Sequence, residues 1–183
     1  MIKNVAVFCG ARLGPATVTA AAQTFMQVAF TKGWGLVYGG GHVGLMGVFA
    51  DEMLKLGGNV IGVIPEHLMK WEVAHKGLKD QRVVSSMHTR KREMYDESQA
   101  FVVFPGGIGT LDEYFEILTW KQLGKHSKPI ALYNPDGFFD GLLSWYERAV
   151  KDGFYSAEQM SLFTVCRTVD ELTTFLENSE PAV

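Results

Sequence analysis

The feature that most constrains this chain is an alternation of two periodicities. Short apolar runs at 5–9, 35–38, 60–64, 82–85, 101–104, 130–133 and 162–166 predict strands. Longer stretches with helical spacing, at about 16–32, 43–57, 88–99, 110–124, 138–152 and 168–178, lie between them. Several strand candidates are apolar at consecutive positions, as strands covered on both faces of a parallel sheet must be. Strand-helix alternation of this kind predicts an α/β fold: a Rossmann-like, doubly wound parallel sheet flanked by helices. The chain has 183 residues, with no repeat, low-complexity tract or linker. A single nucleotide-binding domain spanning 1–183 is expected.

Ligands of such sheets bind at the carboxyl ends of the strands, where the next helices begin. The glycine clusters obey that rule. Cys9-Gly10 ends the first strand, Gly39-Gly40-Gly41 follows Tyr38, and Pro105-Gly106-Gly107 follows Phe104. Glycine lets a backbone approach a phosphate, and a helix N-terminus offers free N–H groups carrying partial positive charge. Gly107-Ile108-Gly109-Thr110 leads straight into a helix and reads as a monophosphate cradle, with the Thr110 hydroxyl as a further donor. One such loop is equally a bare strand-to-helix turn. Three on one edge favour a nucleotide.

Gly39-Gly40-Gly41-His42-Val43-Gly44 matches G-x-G-x-x-G, which suggests a nicotinamide-dependent oxidoreductase. The match follows the second strand instead of the first, and no well-placed acid stands near 20 residues on, since Glu66 follows Pro65. No Walker lysine follows any loop, which argues against an ATP-hydrolysing site.

Two readings of Glu113 stand side by side. Thr110-Leu111-Asp112-Glu113 fits a capping box, in which the acid merely reaches back to the helix start. Alternatively Glu113 lies one turn inside a helix aimed at the ligand edge, kept ionised by the helix N-terminus and a nearby cation. Met87-His88-Thr89-Arg90-Lys91-Arg92 supplies cations at the same edge. That run is either a solvated face with Arg92 and Asp96 paired at i, i+4, or a site in which an anion offsets three cations at a helix start. Asp51-Glu52 reads as a solvated pair, and His88 as a helix-start hydrogen-bonding residue. Leu111, Tyr114, Phe115, Ile117, Leu118, Trp120 and Leu123 make the helix after Thr110 apolar nearly all round, so it is expected to be wholly buried in the core or at a subunit interface.

Neither His42, His67, His75, His88 and His126 nor Cys9 and Cys166 show metal-ligand spacing, so no metal is expected. The two distant cysteines in apolar runs read as reduced thiols. A net charge of −3 offers no footprint for nucleic acid. No apolar stretch approaches a membrane span, and the start of the chain lacks a secretory leader, so a cytoplasmic protein is expected.

At this point the residues resemble the Lonely Guy (LOG) family of cytokinin-activating phosphoribohydrolases, whose members also carry a lysine-decarboxylase label. The resemblance covers nearly the whole chain. It rests on Val7-Phe8-Cys9-Gly10, Tyr38-Gly39-Gly40-Gly41 with Gly44-Leu45-Met46-Gly47, Met87 to Lys91, and Pro105 to Glu113. It implies hydrolysis of the N-glycosidic bond of a cytokinin riboside 5′-monophosphate or AMP, giving free base and ribose 5-phosphate. It places the catalytic pair on Arg90 and Glu113. Substrate-binding positions fall on Glu72, Arg90, Lys91, Gly107, Ile108, Gly109, Thr110, Leu111, Asp112, Glu113 and Thr119. No cofactor is implied, and a homodimer is.

The chain departs from the family at Ala11-Arg12, where two serines are usual, and at Asp112, where a glutamate is usual. Arg12 is a substitute phosphate ligand or simply exposed. The decarboxylase label fails, since a pyridoxal phosphate enzyme needs a Schiff-base lysine and a pyridinium partner, and no such pair stands out. A non-catalytic nucleotide or cofactor carrier is the alternative. It would keep the glycine loops and tolerate loss of Glu113. Met87, Met94, Trp71 and Trp120 are candidates to line an apolar pocket for a prenyl group, or else plain core.

Overall fold

The computed structural model describes residues 1–69 and 73–179. Its strands are β1 (Asn4–Phe8), β2 (Gly35–Tyr38), β3 (Val60–Pro65), β4 (Asp80–Val84), β5 (Ala100–Val103), β6 (Ile130–Tyr133) and β7 (Thr164–Cys166). Its long helices are α1 (Ala16–Thr31), α2 (Gly44–Lys55), α3 (Met87–Glu97), α4 (Ile108–Gln122), α5 (Asp140–Lys151) and α6 (Val169–Asn178). No boundary departs from the periodicity-based expectation by more than two residues.

All seven strands form one parallel sheet in the order β4-β3-β2-β1-β5-β6-β7. Strand alternation decides which helices cover which face. Val5 and Val7 of β1 face α1, α2 and α6, while Ala6 and Phe8 face α3, α4 and α5. From Val5 to Phe8 no residue is more than 3% exposed, which is why the strand reads as an unbroken apolar run.

The chain winds outward from β1 to β4, returns through α3 to β5 beside β1, then winds outward again to β7. The order therefore reverses between β1 and β5, where a doubly wound sheet opens a crevice beyond its strand ends. Phe104 fixes the end of β5 there. Its ring lies 4.5 Å from Tyr133, 4.8 Å from Phe49 and 6.0 Å from Phe25, centroid to centroid, tying β6, α2 and α1 to the loop that follows.

Of the two expectations for α4, burial in the core of one chain is not met. Tyr114, Ile117 and Leu118 are core, but Ile108 is 88% and Leu123 65% exposed. A helix that lies on one face of a sheet needs only an apolar stripe to be held there, and the rest of α4 looks outward. Among the described residues no helix is long and apolar enough to cross a membrane.

Candidate active site

Two loops meet at the crevice. The Gly10 N–H donates to the Pro105 carbonyl at 3.1 Å, joining the ends of β1 and β5. Gly106 is required for this approach, because a Cβ there would overlap Gly10 N and the Thr110 side chain. Beyond the joint lies a cavity of about 340 Å³, lined by Val7, Cys9, Gly10, Ala11, Gly39, Met46, Leu68, Met87, Arg90, Gly107, Gly109, Thr110 and Glu113. Its size falls at the low end of the roughly 300–1,000 Å³ of small-molecule sites.

Gly107 is the N-cap of α4, and no side chain caps it. The first intrahelical bond is Leu111 N–H to the Gly107 carbonyl, 3.2 Å. The N–H groups of residues 108–110 thus have no acceptor within the helix, as an anion cradle requires. This start also decides between the readings of Glu113. With Gly107 at the cap, Thr110 is the third residue of the helix and Glu113 the sixth, so Thr110-Leu111-Asp112-Glu113 is not a capping box. Glu113 is 9% exposed and lines the cavity.

Arg90 enters from α3, whose N-cap Ser86 accepts from Thr89 N–H at 3.1 Å. Only 4% exposed, Arg90 donates through Nη2 to the Gly39 carbonyl at 3.0 Å. A guanidinium stays charged at any physiological pH, so its burial requires acceptors around it. Gly39 is part of that arrangement: a Cβ on it would overlap the guanidinium.

The G-x-G-x-x-G run does other work. Leu45 N–H at the start of α2 donates to the Gly10 carbonyl, 3.2 Å, and Gly44 sits with φ +59° against the Ala11 backbone. The α2 N-terminus is engaged by the first loop instead of being open to a pyrophosphate.

Of the residues expected to bind substrate, Arg90, Gly107, Gly109, Thr110 and Glu113 line the cavity. Lys91 and Asp112 do not. Lys91 pairs with Asp112, 3.1 Å, and with Glu116. Burial works against its charge, but the hydrogen bonds it donates to Glu116 and Asp112 outweigh that and raise its pKa. Ile108 projects outward, Leu111 packs on the core beside α4, and Thr119 is exposed on the far part of the helix. Glu72 and Trp71 lie outside the described residues. Of the other prenyl-pocket candidates, Met87 lines the cavity, Met94 is fully buried core, and Trp120 lines a minor crevice with Lys91 and Glu113.

Sequence reasoning missed the apolar wall of Met46, signalled only by the Gly44-Leu45-Met46-Gly47 motif, and of Leu68, which no motif marks. Of the pair read as solvated, Asp51 is exposed but Glu52 is not. Glu52 is 6% exposed and accepts from Gln27 Nε2 at 2.8 Å, while Asp51 sits between His42 and His75, 3.1 and 2.9 Å away. Residues 42, 51 and 75 converge through two loops and a helix, which no local spacing could reveal.

Arg92 pairs with Asp96 at 2.7 Å on the exposed face of α3, as the i, i+4 spacing predicts. His88 is exposed.

Among the described residues no lysine lines the cavity, which leaves a Schiff-base reaction there without its nucleophile.

Comparison with known proteins gives two kinds of likeness. In solved structures the fold recurs in the molybdenum cofactor binding protein of Rippkaea orientalis, with TM-score 0.74, 20% identity and coverage of 97% of this chain and 96% of that one. It recurs also in the Moco carrier protein of Chlamydomonas reinhardtii, with TM-score 0.71, 20% identity and the same coverage. At that identity the likeness is one of fold.

In sequence, residues 46–176 match a family model described as "Possible lysine decarboxylase". The probable cytokinin riboside 5′-monophosphate phosphoribohydrolase LOGL3 of Oryza sativa subsp. japonica is 42% identical, over 98% of this chain and 85% of its own length. LOGL1 of the same plant, also named probable, is 41% identical over 95% and 78%. The cytokinin riboside 5′-monophosphate phosphoribohydrolase LOG5 of Arabidopsis thaliana is 40% identical over 98% and 79%. Identity of this order, held from end to end, means that the chain belongs to the LOG family of cytokinin riboside 5′-monophosphate phosphoribohydrolases.

Proposed function

We propose that this protein hydrolyses the N-glycosidic bond of cytokinin riboside 5′-monophosphates, and of AMP, releasing the free base and ribose 5-phosphate. One observation carries the reading. The helix whose N-terminus offers free N–H groups at residues 108–110 also presents the carboxylate of Glu113 to the same cavity, one turn further on. A 5′-phosphate held by the N–H groups and the Thr110 hydroxyl would set the ribose beside that acid.

Cleavage passes through an oxocarbenium-like ribose. Glu113 is the one carboxylate among the described cavity-lining residues, so it serves both demands of that transition state. It stabilises the developing positive charge and orients or deprotonates the attacking water. Arg90 contacts the nucleotide and positions Glu113 from across the cavity. Val7, Met46, Leu68 and Met87 offer an apolar wall for the base and its N6 substituent.

A homodimer fits this reading. Thr119 lies exposed on α4 and does not line this chain's cavity, so a contact with nucleotide needs a second copy. The exposed Ile108 on α4, Leu123 just after it and Trp145 on α5 give such a copy apolar surface to cover. A cytoplasmic location fits two thiols, Cys9 and Cys166, that no disulfide joins.

The test is chromatography after incubation with isopentenyladenosine 5′-monophosphate and, separately, with AMP. Free base and ribose 5-phosphate should appear in equal amounts. Nucleotide that binds and is recovered intact would instead make the protein a carrier.

A further inference from the structure

Outside the cavity, three segments converge on one point of the surface. His42 follows the glycine run after β2, Asp51 lies on α2, and His75 precedes β4. His42 Nε2 lies 3.1 Å from Asp51 Oδ2 and His75 Nε2 lies 2.9 Å from Asp51 Oδ1. All three ligand atoms fall within 4.8 Å of one another, and the two imidazole centroids are 4.4 Å apart. None of the three lines the candidate active site.

We propose that His42, Asp51 and His75 form a binding site for a divalent transition-metal ion of the zinc type. A tetrahedral ion with bonds of about 2.0–2.1 Å sets its ligand atoms about 3.3 Å apart, close to the two imidazole–carboxylate distances of 3.1 and 2.9 Å. Two imidazoles with one carboxylate suit zinc, nickel or cobalt and not the oxygen-preferring magnesium or calcium. The His42 and Asp51 side chains are 49% and 57% exposed, so the ion has an entry path and an open position for water. His75, 7% exposed, is fixed from behind.

Its fixation also says what binding must change. Gly77 N–H donates to His75 Nδ1 at 3.0 Å, so the ring's proton sits on Nε2 and is donated to Asp51. An arriving ion takes that proton's place on Nε2. The proton moves to Nδ1, and the Gly77 hydrogen bond opens. The same loops are already joined by His42 N–H to the Val73 carbonyl, 2.9 Å, and by His75 N–H to the Gly40 carbonyl, 3.0 Å. The ion would add a third tie between residues 73–77 and the glycine run that begins with the cavity-lining Gly39.

The test is titration of the metal-stripped protein with zinc chloride, read by calorimetry and by the amide spectrum of Gly77. One equivalent should bind and shift the Gly77 amide. His42→Ala removes an exposed ligand and Asp51→Asn removes the bridging charge. Each should weaken binding by more than the roughly 10–100-fold that loss of an outer-shell partner costs. A melting scan in chelator checks that both variants fold. Equal zinc affinity in the parent and His42→Ala, or saturation with no shift at Gly77, would overturn the proposal, leaving a hydrogen-bonded cluster only.

Discussion

A hydrogen at Gly39, in place of a side chain, leaves the room that the Arg90 guanidinium fills. Gly39→Ala should therefore displace Arg90 while leaving the sheet intact. A misplacement of about 1 Å in such a site costs on the order of 100-fold in turnover. Steady-state kinetics beside an unchanged circular dichroism spectrum would show it.

His126 offers a residue-scale check on stability. Lys128 N–H donates to its Nδ1 at 3.1 Å, and its Nε2 donates to the Ile117 carbonyl at 2.9 Å, so the fold holds one neutral tautomer. Burial lowers its pKa from the ordinary 6.5, opposed by the Ile117 bond and helped by Lys121 and Lys128. With the folded value depressed, the unfolded chain takes up the proton first. Stability from this group is complete above the unfolded value and drains away as pH falls through it. Melting temperature should drop between about pH 7 and pH 5, and less steeply in His126→Gln. At this scale the sequence is a partial guide. It picks out Arg90 and Glu113 as residues, but cannot show that Lys91 is drawn aside by Asp112 and Glu116, since that pairing joins two helices.

The elements were far more legible than their surroundings. Among the described residues, consecutive apolar residues and 3.6-residue spacing located every strand and every α-helix, because burial on one or both faces writes itself directly into local pattern. The start of α4 was read two residues late. Gly107-Ile108-Gly109 looks like loop by propensity, yet Gly107 is the N-cap and Ile108-Gly109 open the first turn. That shift turns Glu113 from a cap into an interior residue facing the cavity. It also leaves the N–H groups of residues 108–110 without acceptors inside the helix, and their proposed role as phosphate donors carries a prediction of its own. A nucleoside lacking the 5′-phosphate forfeits the orientation that α4 provides, so its kcat/KM should fall at least about 100-fold below that of the monophosphate. Comparable rates on isopentenyladenosine and its 5′-monophosphate would remove α4 from the mechanism.

Across the whole molecule, function depends on the reversal of strand order between β1 and β5, and on the core that sets those strands in place. Phe104 is fully buried at their end and packs on three elements. Phe104→Ala should cost about 3–5 kcal/mol in chemical denaturation, the usual range for a buried aromatic. The same reversal also supports binding proteins of this fold, so topology alone does not separate hydrolase from carrier. Glu113 does. The most direct measurement is single-turnover cleavage of isopentenyladenosine 5′-monophosphate by Glu113→Gln, with nucleotide affinity measured on the same sample. Binding within a few-fold of the parent, with turnover lower by about 100-fold or more, is the expected result. Full turnover by Glu113→Gln would contradict the assignment of the chemistry to this acid.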